Sequence, residues 1–362
     1  MKSNLILKYL YLSGKLLKKI QIPFFVFLLI ILFPFCELIE EEEIIEPYKM
    51  PVFKLSGEDS LWIEKTLEGL TLRQKAAQMV MPHVDGKLYE VNSEEFRRLK
   101  YLTEELQVGG FIFFKGKIKE QAELTNRLQE MSELPLLIAA DYERGLGMRL
   151  ADAVEFPYNM ALGAAGNYDL TYLMGKATAI EGRAIGVHQN YAPLLDINHE
   201  YRNPIINIRA YSESPYLVAR HSAAFLRGMN SGEMIATAKH FPGHGATDLD
   251  SHNELPLIDK DIDDLQESDL VPFEKSIQEG IKSVMIGHLE VPALEPEKGI
   301  PATLSENIVG SLLKSRLNFN GLIVTDAMNM RAITKNYGNE EAAKLAVQAG
   351  NDIILFPPDE TA

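Results

Sequence analysis

Eight short apolar runs separated by helical patterns predict an α/β protein: a (β/α)₈ TIM-type barrel, truncated after its eighth strand. Three observations predict it. The runs are continuously apolar instead of alternating, as parallel strands covered on both faces are. They number eight, which favours a closed barrel over an open doubly wound sheet. Polar residues recur where the runs end, at Asp141, Asp196, Lys239-His240, His288 and Asp326. In a barrel those ends meet at one mouth, where reactive groups belong.

The elements follow in chain order. Segments 61–67 and 72–78 read as helices, and Met79-Val80-Met81 begins strand one. An amphipathic stretch, 94–106, leads to strand two at 108–114, and a helix over 119–131 leads to strand three at 136–141. Strand four is 187–195, strand five 234–238, strand six 283–288, strand seven 322–326 and strand eight 352–356. The chain stops within a few residues of strand eight, before the helix that should follow. The barrel domain, 60–362, is therefore predicted to be incomplete at its C-terminus. One barrel of roughly 250 residues or more with an N-terminal extension accounts for the length.

Hydrophobic residues make up 46% of the chain and charged residues 24%, the balance of an ordinary globular protein with a large core. The net charge of -15 speaks against nucleic-acid binding through a basic surface. The first residues differ from the rest. Lys2, Lys8, Lys15, Lys18 and Lys19 precede an apolar run from Ile22 to Phe35, the order of a signal peptide. The run is shorter than the about 20 apolar residues of a spanning helix, while the long basic region also suits an uncleaved anchor. Residues 1–36 are thus predicted to be a signal peptide or N-terminal membrane anchor, with the rest exported: periplasmic or membrane-anchored. Cys36, the only cysteine, stands where a bacterial lipoprotein is lipidated, although Phe35 occupies the place of an expected small residue. A lipidated and an incidental cysteine both stay open. Residues 37–59, opening with a run of glutamates, read as a solvated acidic linker.

The densest chemistry lies at Lys239-His240-Phe241-Pro242-Gly243-His244-Gly245 and the following Asp250-Ser251-His252. Pro242, Gly243 and Gly245 break regular structure, so Lys239 and His240 sit at a strand end where a loop opens. On an extended backbone Asp250 and His252 would point the same way. The carboxylate would then orient the imidazole and favour its protonated form, which suits a general acid/base. Three histidines and two aspartates within fourteen residues also invite a metal site. No second ligand cluster is evident elsewhere, so no metal is expected. Asp326 ends strand seven and would face the mouth, held as a nucleophile must be; capping the next helix is the bland alternative. A retaining glycosidase needs a nucleophile and a proton donor, which Asp326 and His252 would supply, with Asp250 supporting His252.

On these residues the sequence resembles the bacterial β-N-acetylhexosaminidases of glycoside hydrolase family 3, over 61–362. The match rests on 239–245 with Asp250-Ser251-His252, on 156–163, 192–198 and 301–305, and on 321–330, which is similar to the family's nucleophile segment. The resemblance implies that Asp326 is the nucleophile, His252 the acid/base and Asp250 its partner. It implies that Asp141, Arg149, Arg209, Lys239 and His240 contact the sugar, and that no metal or organic cofactor is needed. Terminal β-linked N-acetylglucosamine, on peptidoglycan fragments, is the implied substrate. Asp196 is expected to be a structural carboxylate under the mouth and His244 to shape the loop, while His288 could serve core or rim. One departure stands out: Arg144 and Leu146 replace expected residues in the turn between Asp141 and Arg149, which puts that pocket wall in question. Three alternatives stay open: a phosphorylase, a β-glucosidase of the same family, and a non-catalytic cell-wall-binding lipoprotein.

Overall fold

The computed structural model describes residues 55–361; the apolar run 22–35, Cys36 and residues 37–54 of the linker lie outside them. Seven parallel strands pair in chain order: β2 (His83–Gly86), β3 (Gly110–Gly116), β4 (Leu137–Ala140), β5 (Gln189–Asn190), β6 (Ile235–Phe241), β7 (Ser283–Ile286) and β8 (Leu322–Thr325). The ring is completed by β1 (Val80–Met81) and β9 (Ile354–Leu355), parallel partners of each other. Val324 of β8 bridges Ile353 just before β9. Only Pro82 separates β1 from β2, so together they make one barrel strand, and eight strands encircle the axis.

Strand alternation then sorts the apolar residues into two layers. Met81, Ile112, Ala139, Tyr191, Met285, Val324 and Leu355 fill the barrel interior. A larger cluster, including Phe111, Ile138, Phe241, Val284 and Ile323, packs outward against the helices. The helices Tyr168–Ala184 and Pro215–Ser231 lie against each other at close range. Glycine permits this: a Cβ on Gly228 would stand 2.2 Å from the Tyr172 carbonyl oxygen, and one on Gly175 2.5 Å from that of Phe225.

The boundaries move from those predicted, for identifiable reasons. Strand one extends past Pro82 to Gly86, and the second strand runs over 110–116 instead of 108–114. Strand four shrinks from 187–195 to Gln189–Asn190, because Pro193 has no N–H for the ladder; pairing resumes only as the isolated bridge Leu194↔Lys239. Strand five is longer than predicted and carries Lys239 and His240 within it, ending at Phe241 before Pro242. Strand eight narrows from 352–356 to Ile354–Leu355. The first helix begins at Gly57, earlier than predicted, under a Ser56–Asp59 capping box, and it buries no side chain.

Candidate active site

The strand ends gather charge. Asp141 lies one residue past β4, and Lys239 reaches across from β6 to place Nζ 2.8 Å from Asp141 Oδ1. The same ammonium is 2.7 Å from Glu143 Oε1. Arg209 then closes on Glu143 with a forked pair of hydrogen bonds, Nε to Oε2 at 3.0 Å and Nη2 to Oε1 at 2.7 Å. On the other side Arg149 Nη2 donates to Asp141 Oδ2 at 3.1 Å, and its guanidinium lies over the Phe114 ring, 3.8 Å from the centroid. Three cations thus alternate with two carboxylates along one wall, with one positive charge in excess.

Ion pairing, against burial, decides the state of this clamp. Burial alone would raise the Glu143 carboxyl, but Arg209 and Lys239 more than reverse that and hold it well below the ordinary glutamate range. Burial would likewise lower the Lys239 ammonium, yet Asp141 and Glu143 push it above its usual value. Glu143 and Lys239 are therefore both charged at neutral pH. Two of the three Lys239 donors are spent on the carboxylates, which leaves one for a ligand.

Asp326 sits directly after β8 on the same cleft. Its Oδ1 accepts from the Ala327 N–H at 2.7 Å. The next helix starts only at Arg331, with Met330 at its N-cap, so the helix-capping alternative does not hold. Burial would raise its carboxyl, but His240, His288, the Ala327 N–H and Lys239 outweigh burial and keep it below the ordinary aspartate range. Asp196, fully buried, underpins this side. It accepts from the backbone N–H of His244 at 2.7 Å and meets His240 Nδ1 at 2.7 Å. His288 belongs to the core and not the rim: it is fully buried, with Nδ1 2.7 Å from Thr303 Oγ1 and Nε2 3.1 Å from the Ala327 carbonyl oxygen.

The Asp250–His252 pair forms, though not on an extended backbone. Residues 250–254 make a turn in which the Asp250 carbonyl accepts from the N–H groups of Asn253 and Glu254. Asp250 Oδ1 takes both the His252 backbone N–H and ring Nδ1 at 2.8 Å, and Oδ2 takes the Asn253 amide at 2.9 Å. An aspartate that closes a turn on the second residue along is an ordinary local motif; here it also aims an imidazole. His252 lines the cleft, while Asp250 stands behind it.

That cleft has a volume of about 440 Å³ and brings together Asp141, Arg149, Arg209, Lys239, His240, His252 and Asp326. Glu143 lines it too and is the residue sequence reasoning missed. The available signal was its position two after Asp141 beyond a strand, where both carboxylates can face one side. The departing turn keeps its course. Leu146 is buried, and Arg144 ion-pairs with Glu155 and stacks over Tyr158, 4.3 Å from the ring centroid. Gly145, at φ 85°, leaves no room for a Cβ beside Phe156. Among the described residues no three His, Cys, Asp or Glu side chains are grouped as a metal site.

A parallel barrel whose strand ends converge on a cleft of carboxylates, cations and a positioned imidazole defines the barrel class, whose sites are built at that end of the strands. The chain belongs to glycoside hydrolase family 3: the Glycosyl hydrolase family 3 N terminal domain matches residues 71–362. It is 35% identical over 282 residues to the beta-hexosaminidase A of Pseudoalteromonas piscicida, covering 72% of this chain and 47% of that one. Among solved structures it is similar to a family 3 beta-N-acetylglucosaminidase from Paenibacillus (TM-score 0.72, 40% identity, 79% of this chain and 55% of that one). It is also similar to a beta-glucoside phosphorylase (TM-score 0.80, 28% identity, 86% and 56%). The chain therefore spans about half the length of each of these relatives.

Proposed function

We propose that the protein is a retaining exo-β-N-acetylglucosaminidase that removes terminal β-linked N-acetylglucosamine, with peptidoglycan fragments as the substrate class. The observation that carries this is that the Asp326 carboxylate and the His252 ring open on one cleft, beside the Asp141–Lys239–Glu143–Arg209 clamp. In the first step His252, held by Asp250, gives its proton to the leaving oxygen as Asp326 attacks the anomeric carbon. In the second, neutral His252 takes a proton from water, and that water displaces Asp326 from the sugar. The clamp supports sugar binding, since carboxylates accept hydroxyl protons while Lys239 and Arg149 donate. Preference for the acetamido sugar rests on the family signature at 239–252 and on relatives named beta-hexosaminidase and beta-N-acetylglucosaminidase. Export, to the periplasm or held at the membrane, with residues 1–36 as a signal peptide or anchor, completes the proposal.

A second outcome is phosphorolysis, favoured by the likeness to a beta-glucoside phosphorylase and by the excess positive charge of the clamp. The deciding experiment offers a chromogenic N-acetyl-β-glucosaminide and its glucoside counterpart, each with and without phosphate. Release from the first alone, independent of phosphate, is the expected result. A phosphate requirement would replace hydrolysis by phosphorolysis, equal release from both would remove the acetamido preference, and silence on both would leave a binding protein.

A further inference from the structure

Ser251 stands between the two members of the acid/base pair and behaves unlike either. The side chains of Asp250 and His252 are 30% and 61% exposed, whereas Ser251 is 2% exposed. Its hydroxyl shares a 2.9 Å hydrogen bond with Nε2 of His244. That imidazole is buried as well, and burial, reinforced by neighbouring His240, lowers its pKa to about 4, so it is neutral at neutral pH.

His244 is itself held from three directions. Its N–H donates to Asp196 Oδ1, and its carbonyl accepts from Asn203 Nδ2 at 2.9 Å. The following Gly245 lies so close to Ile197 that a Cβ would stand 1.6 Å from the Ile197 carbonyl oxygen. The outer part of the loop has much weaker ties: an exposed Arg202–Asp248 ion pair at 3.7 Å and a 3.2 Å hydrogen bond from the Arg331 N–H to the His252 carbonyl. An exposed ion pair contributes little. An acid must be held to within a fraction of an ångström of its productive position, at hydrogen-bond reach of the leaving oxygen, to act.

We propose that Ser251 is a positioning residue for the acid/base, fixing through His244 the turn from which His252 reaches the cleft. Asp196 is the common root: one oxygen sets the His240 ring at the floor, and the other sets His244, and through Ser251 the dyad above. The proposal rests on the assignment of His252 made under Proposed function. It concerns only proton delivery, so its signature is a dependence on the leaving group. A dinitrophenolate leaves without protonation, while a phenol or a second sugar needs the proton as the bond breaks.

The test compares dinitrophenyl and phenyl N-acetyl-β-glucosaminides on wild type, S251A and S251T, with melting temperatures measured alongside. S251A should lose on the order of 10–100-fold in kcat/KM on the phenyl glycoside, and less than about 3-fold on the dinitrophenyl one. S251T, which keeps the hydroxyl, should recover much of the difference. Equal losses on both substrates, or none on either, would overturn the positioning role. If S251A does not fold, S251C decides on the same pair of substrates, since its thiol keeps the side chain but is a weak hydrogen-bonding group. A wild type that cleaves neither substrate refutes the proposed function itself, and the positioning role with it; that result precedes any variant and is read separately.

Discussion

The clamp and the Asp250–His252 turn face the same cleft, yet one is buried in the barrel and the other stands in solvent. Lys239 is 3% exposed and bonded to two carboxylates anchored beyond β4; His252 is 61% exposed and bonded to one neighbour in its own turn. The clamp is held chiefly by tertiary contacts, Lys239 to Asp141 across 98 positions and Arg209 to Glu143 across 66. The turn is held locally, with Ser251 as its buried tie. The difference matches the two proposed tasks: a sugar-binding wall gains from rigidity, and a proton donor that approaches different leaving groups belongs on a loop carried by a rigid scaffold.

The comparison can be broken or sharpened in four ways. Asp326→Asn removes the proposed nucleophile, and turnover should fall on the order of 10⁴-fold or more, read as steady-state kcat with a chromogenic N-acetyl-β-glucosaminide. His252→Ala should cost about 10²–10⁴-fold on substrates that need protonation, while leaving the melting temperature close to wild type. Glu143→Ala should do the reverse in emphasis. It leaves Lys239 and Arg209 buried without their shared carboxylate, so urea unfolding should show a loss of about 3–5 kcal/mol. Asp250→Asn on the exposed turn should change stability by only about 0.5 kcal/mol. If the two variants destabilise equally, the contrast between the regions is wrong.

A further effect concerns pH. His244 is neutral when folded, with its pKa lowered to about 4, while in the unfolded chain it titrates near the ordinary value of about 6.5. Between those values the unfolded state binds the extra proton. Stability present above about pH 6.5 should therefore fall as the pH drops toward 4, by at most about 3 kcal/mol. Urea midpoints across that range should show this slope in wild type and a shallower one in His244→Gln. Glu143 and Asp196, both lowered, act in a separate window: their contribution is complete above the ordinary carboxylate range and is lost only as the pH falls below it.

The eight-stranded barrel was legible because its signal is periodic and local: apolar runs of strand length with polar residues at their ends. Asp141, Lys239, His240 and Asp326 could be placed at the mouth from that pattern alone. Asp250 and His252 were recognisable as a pair by spacing, but the extended backbone that would join them is in fact a turn closed by Asp250 on the His252 N–H. Glu143 escaped notice because nothing local to 141–149 announces that an arginine from residue 209 and a lysine from residue 239 will arrive there. The short fourth strand escaped because the apolar run 187–195 continues through Pro193, whose missing N–H matters only once a neighbouring strand is present to pair with it.

The sequence by itself determined the layered barrel, the strand-end chemistry and the pairing of an aspartate with a histidine two residues on, since each follows from spacing along one chain. Only the tertiary structure decided which charges neutralise one another, that Asp196 holds both His240 and His244, and that a buried serine ties the exposed Asp250–His252 turn to the barrel. Apart from the Ser251–His244 bond, those contacts join residues far apart in sequence, and the burial that acts on Glu143, Lys239, Asp196 and His244 exists only once the ring of strands has closed.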